Sequence, residues 1–357
     1  MSPERRSNPV SGSDVSEDWL LPAGVEALIE GHHGDPFALL GCHPGPDPER
    51  RIVRALLPGA QAVHIVSPGA EALVKLDEVR SPGFFAGAIP ASAAAQGYRI
   101  RVRWAEGDEQ EFDDPYALPP RLGELDLHLL AEGSHFRAWQ VLGAHPGEHA
   151  GRTGTGFAVW APNAQRVSVV GDFNGWDGRR HVMRLRPECG VWEIFLPDVG
   201  PGAVYKYEIR SGDGQLLLKA DPYARQAELP PATASRIWSD GPYAWSDQAW
   251  LDRREQTQAR ERPISIYELH AGSWQRHPDG SWLSYRELAD HLVPYVSELG
   301  FTHIELLPIS KHPFSGSWGY QPSGLFAPTA RFGSPDDFRY LVDRCHQAGI
   351  GVLLDWV

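Results

Sequence analysis

Hydrophobic and polar residues alternate along much of the first two-thirds of the chain. In YRIRVRW, residues 98–104, every second side chain is large and apolar, and RVSVV, residues 166–170, continues the same pattern. A period of two is that of a strand with one buried face, and Gly and Pro interrupt these runs at short intervals. This part of the chain is therefore predicted to form β-sandwiches.

The same part contains an internal repeat. Three pairs of segments match in the same order: 28–44 with 130–146, 54–66 with 158–170, and the phrase DPYA at 114–117 and 221–224. Such a match at three successive places indicates a duplicated structural unit. We expect two tandem immunoglobulin-like modules, 20–125 and 126–250, after a disordered tail at 1–19.

The two copies differ at one turn. The second copy contains GDFNGWDG at 171–178, where the first has SPGAEALVKL. Asn-Gly is a strong hairpin signal, and the flat ring of Trp176 beyond it is suited to stacking on a sugar. The alternative is that Trp176 packs under its own loop. Lys206 is a second candidate for glucan contact, with a solvated strand residue as the alternative.

After a polar linker at 251–263 the pattern changes to apolar strands that alternate with helical segments. The segment 284–300 has the period of a helix, with Ser284 and Glu287 as a capping box, and Pro294 is predicted to kink it. A second helix is predicted at 334–349.

The strands around these helices are continuously apolar, at 264–270, 302–309 and 350–357. Strands of this kind, in βαβαβ order, indicate a parallel sheet or a (β/α) barrel. An eight-stranded barrel needs about 250 residues. We therefore predict that 264–357 form the first three strands of a (β/α)8 TIM barrel, and that the barrel is incomplete in this chain.

Candidate chemistry lies at the carboxyl ends of these strands, where parallel α/β folds bind ligands. The segment 307–329 is long, and Asp355 follows the last strand. The aromatic residues of the segment 307–329 are Phe314, Trp318, Tyr320 and Phe326. Aromatic walls beside a carboxylate suit a neutral polyhydroxyl ligand. Glu268 and His270, at the end of the first strand, are expected to pack and hydrogen-bond, and Glu305 is interpreted as structural.

The composition narrows the function classes. The net charge is −13, without a basic run, which argues against nucleic-acid binding. Three widely spaced cysteines, no apolar leader and no apolar run of about 18 residues predict reduced thiols in a cytoplasmic protein that does not span a membrane. Phosphate-loop, dinucleotide, zinc-protease and serine-hydrolase motifs do not occur, and His32 and His33 lack partners at ligand spacing. We expect no cofactor and no metal.

Several motifs resemble the bacterial 1,4-α-glucan (glycogen) branching enzymes of the α-amylase superfamily. They are YELHAGSW, LGFTHIELLPI, WGYQPSGLFAPTARFGSPDDF and the segment FAVWAPNAQRVSVVGDFNGWDG. Gln321 resembles the residue that branching enzymes carry at this position of the motif. Debranching relatives usually carry an acidic residue at the same position. The resemblance covers nearly the whole chain after about residue 20.

The resemblance implies a retaining transfer of an α-1,4-glucan chain, such as glycogen or amylose, to a 6-hydroxyl. It places the nucleophile and the acid/base beyond residue 357, so we expect no catalytic residue here. Substrate-binding roles are implied for Trp318, Tyr320, Gln321 and Asp355, with Tyr320 under the innermost sugar. The chain is accordingly expected to be an amino-terminal part of a longer enzyme, inactive alone and, by family, monomeric. The alternative is a non-catalytic or vestigial glucan-binding protein.

Overall fold

The computed structural model describes residues 17–67, 72–105 and 107–357. Residues 1–16 of the predicted disordered tail 1–19 lie outside the described residues. The last residues of that predicted tail belong to helix α1, Glu17–Leu20. Two compact units divide the chain, one ending at Lys219 and the other running from Ala220 to Val357. None of the described helices is long and apolar enough to span a bilayer.

The first copy of the repeat folds as seven antiparallel strands in the order β1-β2-β5-β4-β3-β6-β7. The strands are β1 Gly41–Pro44, β2 Arg50–Leu56, β3 Ala60–Val66, β4 Ala72–Arg80, β5 Phe84–Pro90, β6 Arg99–Trp104 and β7 Glu109–Asp113. Two helices accompany them, α2 Val25–Ile29 and α3 Ala91–Gln96. Inward-facing side chains of β2 to β6 form one apolar cluster, which is the core of this copy.

The second copy follows helix α4, Glu124–Glu132, and repeats the strand arrangement. Its strands are β8 Gly143–His149, β9 Arg152–Trp160, β10 Ala164–Gly171, β11 Arg184–Arg186, β12 Val191–Pro197, β13 Val204–Ser211 and β14 Leu216–Lys219. Strands β11-β12-β9-β8 form one sheet, as β4-β5-β2-β1 do in the first copy. Strand β10 pairs with β13, and β13 with β14.

The backbone of the repeated segment is the same in both copies. Gly41 lies opposite Arg54 and Gly143 opposite Ala158, which are the positions that the sequence repeat aligns. Both glycines have positive φ, 91° and 99°, a conformation that favours glycine. The ring of His43 donates to the Leu40 carbonyl at 2.8 Å, and that of His145 to the Leu142 carbonyl at 2.9 Å. The duplication therefore extends to individual hydrogen bonds.

The second unit contains a parallel sheet, β17-β18-β21, with helices on one face. Its elements are β15 Gln226–Ala227, β16 Ser235–Arg236, α5 Gln248–Thr257, β17 Ile266–Leu269, α6 Ala271–Trp274, α7 Tyr285–Glu298, β18 His303–Leu306, β19 Ser310–Lys311, β20 Gly324–Pro328, α8 Pro335–Gln347 and β21 Gly351–Leu354. The βαβαβ order is that predicted from the hydrophobic pattern, with shorter strands.

Helix α7 begins at the predicted capping box. The Glu287 N–H donates to Ser284 Oγ at 3.2 Å, and the Ser284 N–H donates to Glu287 Oε2 at 2.8 Å. The helix continues past Pro294 to Glu298.

Two elements do not follow from the sequence pattern. The predicted linker 251–263 begins inside helix α5, which spans Gln248–Thr257. Trp250 of this helix stacks on His346 of α8 with 3.8 Å between ring centroids. The predicted loop 307–329 contains the two-stranded sheet β19-β20.

Candidate functional site

The predicted site residues Tyr320 and Asp355 are in direct contact at the strand ends. Asp355 follows β21, and its N–H donates to the Leu306 carbonyl of β18 at 3.0 Å, which continues the pairing of the two strands. The hydroxyl of Tyr320 donates to Asp355 Oδ2 at 2.6 Å. Two side chains that are 35 residues apart in sequence thus form one polar group at the sheet edge.

A strained loop holds Tyr320 in this position. Gly319 has φ 94°, and a Cβ there would lie 2.0 Å from the Pro308 carbonyl oxygen, so only glycine fits. The preceding residue, Trp318, has φ 54° although it is not glycine, which costs about 1 kcal/mol. Its ring stacks on His270 at 5.0 Å between centroids and 10° between planes. The stacking fixes the loop against the end of β17.

The electrostatics keep Tyr320 protonated. The pKa of Tyr320 is raised to about 12, chiefly by its hydrogen bond to Asp355, with smaller contributions from burial and from the charges of Asp355, Glu268 and Glu305. At neutral pH the hydroxyl is therefore a donor, and it fixes the Asp355 carboxylate. The ring of Tyr320 is 46% exposed, so it presents an aromatic surface beside that carboxylate. Glu268 and Glu305 lie opposite each other in the β17-β18 pairing.

Gln321 is exposed, and its side chain makes no hydrogen bond to a described residue. Sequence reasoning missed a second group in the same loop. Arg331 donates to the carbonyls of His312 and Pro313 at 2.8 and 3.3 Å, and so joins the start of the loop to its end. Nothing in the sequence pattern singles out this arginine, because its partners are backbone oxygens.

In the second copy, hydrogen bonds of Asn174 stabilise the turn that carries Trp176. Asn174 is buried, accepts from the Gly171 N–H at 3.0 Å and donates to the Val169 carbonyl at 2.9 Å. Trp176 donates from Nε1 to Asp172 Oδ1 at 2.8 Å and remains 38% exposed. The ring is thus anchored by its polar edge with part of its face open to solvent.

Lys206 lies near the base of this turn. It pairs with Val170 across β10 and β13, next to the position where Gly171 begins the turn, and it is half-buried. Within residues 17–67, 72–105 and 107–357, no three His, Cys, Asp or Glu side chains converge in a way that suits a metal ion.

Three protein families match successive parts of the chain. The family described as alpha-1,4-glucan branching enzyme GlgB, N-terminal domain, matches residues 22–116. Carbohydrate-binding module 48 (isoamylase N-terminal domain) matches residues 141–224. The alpha amylase catalytic domain matches residues 285–357. The chain is thus multidomain, with two β-rich domains followed by part of an alpha-amylase domain.

Curated relatives match nearly the whole chain. A protein of Rubrobacter xylanophilus, named 1,4-alpha-glucan branching enzyme GlgB, is 56% identical over 93% of this chain and 45% of its own length. The 1,4-alpha-glucan branching enzyme GlgB 1 of Xanthomonas euvesicatoria pv. vesicatoria is 56% identical over 96% of this chain and 46% of its length. The GlgB enzyme of Burkholderia thailandensis is 53% identical, with 98% and 42% covered. The chain spans less than half the length of these relatives.

Proposed function

The chain belongs to the GlgB family of 1,4-alpha-glucan branching enzymes, and we propose that it serves the branching of an α-1,4-glucan. In this reaction a glucan chain is cleaved and transferred to a 6-hydroxyl, which forms an α-1,6 branch with retention at the anomeric carbon. The observation that carries the proposal is the contact between Tyr320 and Asp355 at the strand ends. It joins an aromatic surface to a fixed carboxylate, as a neutral sugar ring requires.

At this site the ring of Tyr320 supports the apolar face of a glucose unit, and Asp355 accepts hydrogen bonds from its hydroxyls. Trp318 and Gln321 bind the neighbouring part of the glucan. Retaining transfer needs two carboxyl groups roughly 5 Å apart across the sugar, one as nucleophile and one as acid/base. We assign neither role to a residue of this chain, and Asp355 shapes the sugar site only. The 357-residue chain is therefore inactive in branching by itself.

The domain assignment belongs to the same proposal. Residues 20–125 and 126–250 are immunoglobulin-like sandwiches, 251–263 connect them to the catalytic part, and 264–357 are the first three strands of a (β/α)8 barrel. The second sandwich binds glucan through Trp176 and Lys206. The enzyme is a cytoplasmic monomer whose partners are glycogen and amylose, without nucleic acid or membrane.

A second candidate function is glucan binding without catalysis. The partly exposed and anchored ring of Trp176 favours it, because that ring needs no catalytic group to bind a sugar. The two candidates differ in whether new branches form.

The branching assay separates these functions. The purified 357-residue chain is incubated with amylose, and α-1,6 linkages are followed by proton NMR. We expect glucan binding and no new linkages. Any measurable branching contradicts the absence of the catalytic carboxylates.

Glycogen affinity tests the Trp176 platform. We expect Trp176→Ala to lower the affinity at least about tenfold, which is 1.4 kcal/mol, because the stacking surface is lost. Trp160→Ala is the matched control, since Trp160 is 62% exposed in the same copy and donates to the Cys189 carbonyl instead. Equal losses in the two variants contradict a platform at Trp176. The measurement is a glycogen co-sedimentation isotherm.

A further inference from the structure

A cavity of about 290 Å³ lies in the second unit beside the end of β17. Basic and aromatic side chains dominate its walls: His270, Arg276, His312, Arg331, Trp282, Trp318 and Phe332. No Asp or Glu is among the described residues that line it. In a chain whose net charge is −13, this is a local concentration of positive charge.

The two arginines share one aromatic ring. The guanidinium carbons of Arg276 and Arg331 each lie 5.9 Å from the centre of the Trp282 ring. Within 107–357, neither arginine forms a salt bridge with a carboxylate. Like charges near one ring repel each other, and an anion bound in the cavity reduces that repulsion.

The hydrogen bonds show which arginine is available to a ligand. Arg331 donates to the carbonyls of His312 and Pro313 and to Ser315 Oγ, so it is committed to the loop. Arg276 donates from Nε to the Gly272 carbonyl at 2.9 Å and from Nη1 to the Gly280 carbonyl at 3.1 Å. Its Nη2 makes no hydrogen bond to a described residue. A guanidinium that lines the cavity and keeps one nitrogen available is suited to phosphate oxygens.

The positive charges near the cavity also affect the pKa values of its two histidines. Burial lowers the pKa of His270, and the positive charges of Arg276 and Arg331 lower it further. Burial also lowers the pKa of His312, again with a contribution from Arg331. Both rings are therefore neutral at pH 7, and the positive charge of the cavity comes from the arginines.

We propose that this cavity binds a phosphorylated hexose, with the phosphate group at Arg276 and the sugar ring against Trp318 and Trp282. The arginines provide charge-assisted hydrogen bonds for the phosphate, and the aromatic walls suit the apolar face of a sugar. This binding goes beyond the proposed function, because an α-1,4-glucan is neutral and does not need a guanidinium group that lacks a carboxylate partner.

Calorimetric titration of the 357-residue chain tests the proposal with three probes. Glucose 6-phosphate carries both groups, inorganic phosphate carries only the anion, and glucose carries only the sugar. We expect glucose 6-phosphate to bind at least about tenfold more tightly than either of the others. Its affinity should fall as sodium chloride is raised from 50 to roughly 500 mM, because salt screens the arginines.

Arg276→Gln should weaken glucose 6-phosphate binding at least about tenfold, which is 1.4 kcal/mol. Arg253→Gln is the matched control, since Arg253 is exposed on α5 and does not line the cavity. Circular dichroism of both variants checks that they are folded. Trp176→Ala, which tests the glucan platform, should leave this affinity unchanged, so the two proposals fail separately.

Three outcomes overturn the proposal. The first is no binding of glucose 6-phosphate at millimolar concentration. The second is equal binding of inorganic phosphate, which means that the sugar is not recognised. The third is a folded Arg276→Gln variant with the affinity of the parent chain.

Discussion

At one position of the sheet, the two copies of the repeat carry opposite buried charges. In the first copy Arg54 of β2 lies opposite Ala86 of β5, and in the second Ala158 of β9 lies opposite Glu193 of β12. The repeat aligns Arg54 with Ala158, so the charge has changed sign and moved to the neighbouring strand. Arg54 is 6% exposed and Glu193 is 3% exposed.

Arg54 and Glu193 have the same structural role, because each forms hydrogen bonds with backbone groups of a preceding segment. Arg54 donates to the carbonyls of Trp19 and Leu39, at 2.7 and 3.3 Å. Glu193 accepts from the N–H groups of Arg121 and Leu122, both at 2.9 Å. Each charge therefore holds the chain that precedes the strands of its own copy against a strand of that copy. The comparison teaches that the backbone groups to be satisfied, and not the fold, decide the sign of the charge.

The largest effect is expected from removing these charges. Glu193→Ala leaves two backbone N–H groups without their acceptor and removes the buried partner of Arg186 Nη1, which should cost about 3–5 kcal/mol of unfolding free energy. Arg54→Ala leaves two carbonyls, and the loss should be about 1–3 kcal/mol. Urea unfolding followed by Trp fluorescence measures both.

Glu188→Ala is the control for the first prediction. Glu188 also accepts from Arg186, but its side chain is 42% exposed, so the expected loss is less than about 1 kcal/mol. If Glu188→Ala and Glu193→Ala destabilise the chain equally, the tether at Glu193 has no special role.

The copies are also expected to respond to pH in opposite directions. Burial raises the pKa of Asp114 in the first copy to about 6, from 3.8, so its contribution to stability falls as the pH rises through this window. Burial lowers the pKa of His181 in the second copy to about 3, from 6.5, with the charge of Arg180 adding to the effect. Its contribution to stability is lost as the pH falls from 6.5. Between pH 4 and 6 the two effects oppose each other.

Single variants should separate these opposing effects. Between pH 4 and 6, the unfolding free energy of Asp114→Asn should rise by roughly 2 kcal/mol relative to the parent chain, because the unfavourable ionisation is removed. That of His181→Gln should fall by a similar amount, because the parent alone gains stability as the pH rises. Urea midpoints at pH 4, 5 and 6 measure both. Parallel profiles for the three proteins exclude these two groups as the source.

The smallest expected effect tests what the copies share. His43→Ala and His145→Ala both remove the hydrogen bond to the carbonyl three residues earlier, at Leu40 and Leu142. Each variant should lose about 1 kcal/mol of unfolding free energy. The two losses should agree within about 0.5 kcal/mol, as judged by thermal unfolding. A twofold or larger difference indicates that the repeated contact has diverged in energy.

The sequence predicts the features that follow from local pattern. The period-two strands, the repeat and its register, the capping box at Ser284 and the βαβαβ order are all readable because each depends on neighbouring residues.

The features that the sequence does not predict depend on residues far apart in the chain. Helix α5 is polar and lacks a clear apolar face, and its position depends on the contact between Trp250 and His346. The hydrogen bond of Tyr320 to Asp355 follows from strand order, so the sequence indicates the neighbourhood but not the bond. The carboxylates near Tyr320 and the arginine pair at Trp282 have no local signal, because each combines residues from different elements.

The turn at Gly319 has a practical consequence for enzyme engineering. Because a methyl group there would meet the Pro308 carbonyl oxygen at 2.0 Å, even alanine must displace the segment that carries Tyr320. Libraries that aim to alter sugar preference should therefore keep codon 319 constant and vary Gln321, whose side chain is exposed. The position of the Tyr320 ring therefore depends on the lack of a side chain at the preceding residue, Gly319.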